Sequence, residues 1–152
     1  LEKQQHMSLD VKLLRTSFDV VVERSPNLTH RFYEILFERY PQTQPMFPEG
    51  RRARQEGMLT EALVAVLDHL EDAPWLTGTL HALGAKHVDY GVTDEMYGWV
   101  GDALLRTLAE VGGKDWSPEL EAAWAAAFGA IAALMQEGAR LSAPDTERRA
   151  VG

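Results

Sequence analysis

"HALGAKHVDYGV", residues 81–92, carries the reading on which the fold turns. Leu76, Leu80 and Leu83 fall at spacings of four and three, one apolar face of a helix, and the next position on that face is His87. A ring that titrates near neutrality stands where another leucine would pack better. Gly91 ends the segment a turn later. His87 is therefore either a buried, hydrogen-bonded core histidine or a ligand, and the stripe alone favours the core histidine.

Outward from this stretch the apolar period stays helical. Val11, Leu14, Phe18 and Val21 predict a first helix behind the cap candidate Ser8. "SPN" (25–27) breaks it and restarts the chain, with Ser25 as the expected cap and Pro26 in the first turn. Phe32, Ile35, Leu36 and Tyr40 mark the next helix, and prolines 41, 45 and 48 then permit only short, bent structure around Met46 and Phe47. Leu59, Leu63, Val66 and Leu70 give a third long pattern, and "EDAP" (71–74) opens the helix that carries His87. Thr93 is placed to cap the helix of Tyr97, Val100, Leu104 and Leu108. After the loop "VGGKDW" (111–116), "SPEL" (117–120) starts the helix of Leu120, Trp124, Phe128, Ile131 and Met135. No stretch alternates like a strand. The expected class is all-α, with helices crossing at irregular corners rather than running up and down.

Composition narrows the function. A formal charge of −8 and a pI near 5.1 disfavour nucleic acid, whose phosphates need clustered Lys and Arg; "GRRARQ" (50–55) is the only such cluster and is short. No apolar run is long enough for a membrane span. The absence of cysteine excludes disulfides, thiolate chemistry and thioether-attached haem, and fits a reducing cytoplasm. "LEKQQH" lacks the apolar centre of a signal peptide, so residues 1–7 read as an expression remnant with Met7 as the expected start. Residues 8–141 form the expected domain, and 142–152, small and charged, an expected disordered tail.

Most catalytic constellations are missing: there is no Gly-rich phosphate loop, no Gly-x-Ser-x-Gly, no His-Glu-x-x-His and no Glu-x-x-His. His30, His69, His81 and His87 offer no pair three or four apart on a helix. One histidine holding a metal whose other ligands belong to a macrocycle stays open. Residue by residue, ordinary packing roles are also open. Tyr33 suits a core edge, Gln55 a solvated helix start, Phe47 a plug between prolines, and Trp124 and Phe128 the core.

In combination these residues carry a resemblance. "RFYEILFERYPQTQPMF" (31–47), followed by "KHVDYGV" (86–92), resembles the bacterial globins, particularly single-domain globins and the haem domains of flavohaemoglobins. The shared pattern is Phe-Tyr-x-x-Leu-Phe, a proline, Met/Leu-Phe, then Lys/Arg-His with Gly-Val four and five residues beyond the histidine. "YGWVGDALL" (97–105) and "AAWAAAFGAIAALM" (122–135) are similar to that group's last two helices. The likeness extends over roughly Ser8 to Gly138, and the separation of Phe47 from His87 by 40 residues makes the set specific.

The resemblance implies a globin fold around haem b, with iron protoporphyrin IX held non-covalently. It makes His87 the iron ligand, Lys86 the base beside a propionate and Phe47 the ring stacked on the porphyrin. Val92, Tyr97, Val100 and Phe128 join the cofactor's walls. Tyr33 and Gln55 become distal donors and Leu59 the apolar residue over the iron; alignment through "HLEDAP" (69–74) supports Gln55 over Arg54 and Glu56. The implied ligands are dioxygen, nitric oxide and carbon monoxide, in oxygen transport, storage or nitric oxide scavenging. Nitric oxide dioxygenation would require an external reductase, because the chain ends soon after its last helix. The rival class is a gas sensor or an interaction protein signalling through a partner. One departure stands out: the family's late glutamate, expected to bond the proximal histidine beside Tyr97, falls on Ala139. Glu137 sits two residues early, about 200° around the helix. The expected partner of the His87 ring N–H is then a backbone carbonyl.

Overall fold

A computed structural model describes residues 9–151, with side chains described as far as Ser142. The expected remnant 1–7 and the cap candidate Ser8 lie outside the described residues, as do the side chains of the expected tail beyond Ser142. The described residues hold no strand. Their helices are α1 (Val11–Arg24), α2 (Leu28–Arg39), α3 (Arg52–Asp68), α4 (Ala73–Asp89), α5 (Asp94–Gly112) and α6 (Pro118–Val151). Short 3-10 turns cover Pro41–Met46, Glu49–Arg51 and Gly113–Asp115, and the first two are the bend that the prolines require. No helix among the described residues is long and apolar enough to cross a membrane.

Three of the six helix starts follow from their caps. Asp10 accepts from the Leu13 N–H at 3.0 Å, Asp72 from Trp75 at 3.2 Å and Ser117 from Leu120 at 3.1 Å, each relieving an unpaired first-turn donor. Ser25 is a correction. Its N–H donates to the Val21 carbonyl at 2.9 Å, so it closes α1, and Pro26 stays in the turn before Asn27, the residue that precedes α2. Thr93 occupies the cap position of α5 without a side-chain bond, leaving Asp94 and Glu95 to offset the dipole. The C-terminal end of α3 is held by Arg15, which donates to the carbonyls of Leu67 (2.8 Å) and Asp68 (3.2 Å).

Two apolar clusters form the core. Leu14, Phe18, Val21, Leu28, Leu67, Leu108, Trp124 and Ala127 make the first. Phe32, Tyr33, Ile35, Leu36, Ala103 and Leu104 make the second, where α2 packs on α5. Helix α4 rests mainly on α6, whereas α3 packs mainly on α2. Their apolar stripes remain half-buried: Leu59, Leu63 and Val66 on α3, Leu76 and Leu83 on α4. This arrangement leaves two helices with apolar faces to spare, one carrying Gln55 and the other His87.

Candidate functional site

His87 occupies the third position before the cap of α4. Gly91, at φ +84°, takes the left-handed conformation that ends the helix. The Val92 N–H then donates to the His87 carbonyl (3.0 Å) and the Gly91 N–H to that of Val88 (3.0 Å), a closed Schellman turn. The His87 ring is half-buried, and its Nδ1 lies 2.7 Å from the Leu83 carbonyl. A carbonyl only accepts, so Nδ1 carries the proton and Nε2 carries the lone pair. Nε2 has no partner among the described residues. Burial lowers the His87 pKa, opposed by the bond to Leu83, which favours the neutral ring that a metal requires. Lys86 beside it is exposed and forms no ion pair among the described residues.

The other proximal candidates separate. Tyr97 is half-buried, with its phenol pushed up by burial and by Asp94, and it makes no hydrogen bond to His87. Glu137 turns elsewhere, its Oε2 lying 3.6 Å from His81 Nε2. That nitrogen is buried without a hydrogen bond. Among the described residues no carboxylate bonds the His87 ring, and a backbone carbonyl is its partner, as the alignment of Ala139 leads one to expect.

An aromatic cluster forms on α2 and the turn that follows it. Tyr33 is buried on α2, its ring centroid 4.8 Å from Phe32, 5.2 Å from Phe47 and 6.0 Å from Phe37. Burial, helped by the Glu56 charge, pushes its phenol up to about 12. The hydroxyl is thus a neutral donor, and it has no hydrogen-bond partner among the described residues. Phe47, Leu59, Val100 and Phe128 pack against the same cluster. Arg52 pins the corner: its Nε donates to the Phe47 carbonyl at 3.2 Å and its guanidinium lies 4.9 Å above the Phe37 ring.

The first turns of α3 separate the three distal candidates. Arg54 is exposed. Glu56 is engaged by His30 Nδ1 at 2.9 Å. Gln55 is half-buried with no bond to the described residues, one turn before Leu59. Tyr33, Phe47, Leu59, Val100 and Phe128 are thus brought together, while His87, Lys86, Val92 and Tyr97 group around the end of α4 and the start of α5. Sequence reasoning expected a backbone carbonyl at the His87 ring without naming Leu83, the residue four before it, and missed the Arg52 clamp, hidden in a run read as a basic cluster.

The His30–Glu56 contact ties α2 to the Gln55 turn and yields a pH prediction. Its hydrogen bond, then the Glu56 charge, raises His30 above its ordinary 6.5. A raised histidine stabilises the fold fully below pH 6.5, and that increment is lost as pH rises through the folded value. The pair is more than half exposed on the histidine side, so screening keeps the effect near ~0.2–1 kcal/mol. Urea unfolding between about pH 6 and 9 should show this loss in the wild type and its absence in His30→Gln.

Among the described residues no three His, Cys, Asp or Glu side chains assemble to hold a metal ion. One free imidazole nitrogen, half-buried apolar walls and the unpartnered hydroxyl of Tyr33 instead suit a metal carried in a flat macrocycle. The comparisons agree. The family model described as Globin matches residues 30–135. A flavohemoprotein of Bordetella pertussis is 33% identical over 125 residues, 81% of this chain and 31% of that protein. One from Bacillus thuringiensis subsp. konkukian is 30% identical over 124 residues, covering 80% of this chain and 30% of the relative. The chain thus spans about three tenths of the length of these curated relatives. Among solved structures, an engineered carbene transferase from Rhodothermus marinus, which carries the provisional name of a nitric oxide dioxygenase, superposes with a TM-score of 0.75 at 27% identity. It covers 90% of this chain and 95% of its own. A bacterial globin of Campylobacter jejuni shares the fold, with a TM-score of 0.73 at 23% identity over 86% of this chain and 94% of that one.

Proposed function

The chain belongs to the globin family, and from that we propose that residues 8–141 bind a single haem b and use it to hold dioxygen and other diatomic gases reversibly. Haem, when bound, supplies an iron that takes a gas ligand and exchanges one electron. His87 would hold the iron through Nε2, Lys86 would face a propionate, and Phe47, Leu59, Val92, Tyr97, Val100 and Phe128 would wall the macrocycle. Tyr33 and Gln55 would donate hydrogen bonds to a gas ligand that carries partial negative charge. The observation that carries the proposal is the division of the His87 ring, with Nδ1–H committed to Leu83 at 2.7 Å and Nε2 left with its lone pair.

Storage, delivery or scavenging of oxygen or nitric oxide in the cytoplasm follows from such binding. The same haem site would present dioxygen to nitric oxide, and turnover would then draw electrons from a reductase. Oxygenation of the ferrous, haem-loaded chain tests the reading. Spectra should change on admitting air and return on its removal, and carbon monoxide should displace the dioxygen. Immediate, irreversible oxidation without an oxygenated spectrum would contradict it.

A further inference from the structure

Helix α4 rests on α6 and packs on no other helix to a comparable extent. Two glycines let the backbones approach closely at this crossing. A Cβ at Gly84 would overlap the backbone carbonyl of Met135, and a Cβ at Gly138 would overlap the backbone of His81. Backbone cannot swing aside as a side chain can. Both glycines are buried, and neither has a positive φ, so conformation does not require them. Glycine inside a helix is otherwise unfavourable relative to alanine. Gly78 on α4 and Gly129 on α6 provide the contrast, with nothing within 4 Å of an added Cβ. Close approach therefore accounts for Gly84 and Gly138.

The crossing lies beside the proximal ring. Gly84 precedes His87 by three residues, about 60° around the helix. It also adjoins Leu83, whose carbonyl takes the His87 Nδ1–H. Since α6 is the main support of α4, the close contacts at these two glycines, one on each helix, locate both the ring and the acceptor that aims it.

Resting on the reading of His87 as the iron ligand, we propose that Gly84 and Gly138 are positioning residues, a seat through which α6 sets how far and at what angle His87 is presented to haem. A methyl group on either glycine forces the helices apart, and little else holds α4 against the shift. Functional geometry tolerates displacements of only about 0.5 Å, and misplacement by ~1 Å can cost about a hundredfold.

The test uses Gly84→Ala and Gly138→Ala, with Gly78→Ala and Gly129→Ala as controls, in the haem-loaded full chain. Each is made in the wild-type background and in His87→Gly refilled with imidazole, whose ring is not tethered to α4. The seat variants should shift the ferrous iron–histidine stretching band and change dioxygen dissociation by about tenfold in the wild-type background. With imidazole as ligand they should change neither, and the controls should change neither in both backgrounds. Gly138→Ala, farther from His87, carries the test if Gly84→Ala does not fold. An unmoved band in the seat variants, or an equal shift with untethered imidazole, overturns the seat. A wild type lacking any iron–histidine band refutes the assignment of His87 instead.

Discussion

His87→Ala abolishes stable haem binding, or leaves a site that haem occupies only with added imidazole. Even the outer hydrogen-bond partners of a metal ligand typically cost about 10–100-fold in affinity when removed, so loss of the ligand itself should exceed that. No cysteine offers a covalent tether, and the walls alone must then retain the cofactor. His81 is the other histidine on α4, but its Nε2 is buried towards Glu137, 3.6 Å away, so His81→Ala should keep haem. Haem transfer to a scavenging apoprotein, followed in the Soret region, measures both. A His87→Ala chain with wild-type retention and an unchanged ferrous spectrum would assign the iron to another residue.

Tyr33→Phe should speed dioxygen dissociation by about ten- to a hundred-fold, as expected for losing one hydrogen bond of ~1.5–3 kcal/mol to a partly anionic oxygen. The substitution keeps the ring that packs on Phe32 and Phe47, so the core should survive. With its phenol pushed up to about 12, Tyr33 remains a donor throughout the physiological range. Carbon monoxide carries far less charge when bound and should respond much less. Gln55→Leu should add less than its separate effect, because two donors to one oxygen are coupled. Stopped-flow dissociation of both gases decides the matter. Equal, small changes would make Tyr33 a wall residue.

Helical periodicity made α1 to α6 legible, because each buries one face, and the helix starts at "EDAP" and "SPEL" were visible as local signals. Ser25 was misassigned because the same residue can close one helix or open the next, and only the bond to Val21 decides between them. The histidine on an apolar stripe was legible as an anomaly, but periodicity alone could not say which ring nitrogen is free. That depends on the Leu83 carbonyl, a backbone group that no side-chain pattern reveals. Alignment favoured Gln55 over Arg54 and Glu56, and the contact of Glu56 with His30 on another helix is what the sequence does not reveal. Gly84 and Gly138 look like defects in their own helices, since their purpose lies in a contact between segments more than fifty residues apart.

The most direct test of a haem site built on His87 is titration of the haem-free full chain with haem, followed by absorption and by the ferrous iron–histidine stretching band. The predicted result is a Soret band that saturates at a single haem per chain. Reduction should then give a histidine-ligated spectrum, with the band at the low frequency of a ring bonded to a backbone carbonyl rather than to a carboxylate. No Soret band, or binding without an endpoint and without an iron–histidine band, would mean that this globin fold does not use His87 to hold haem.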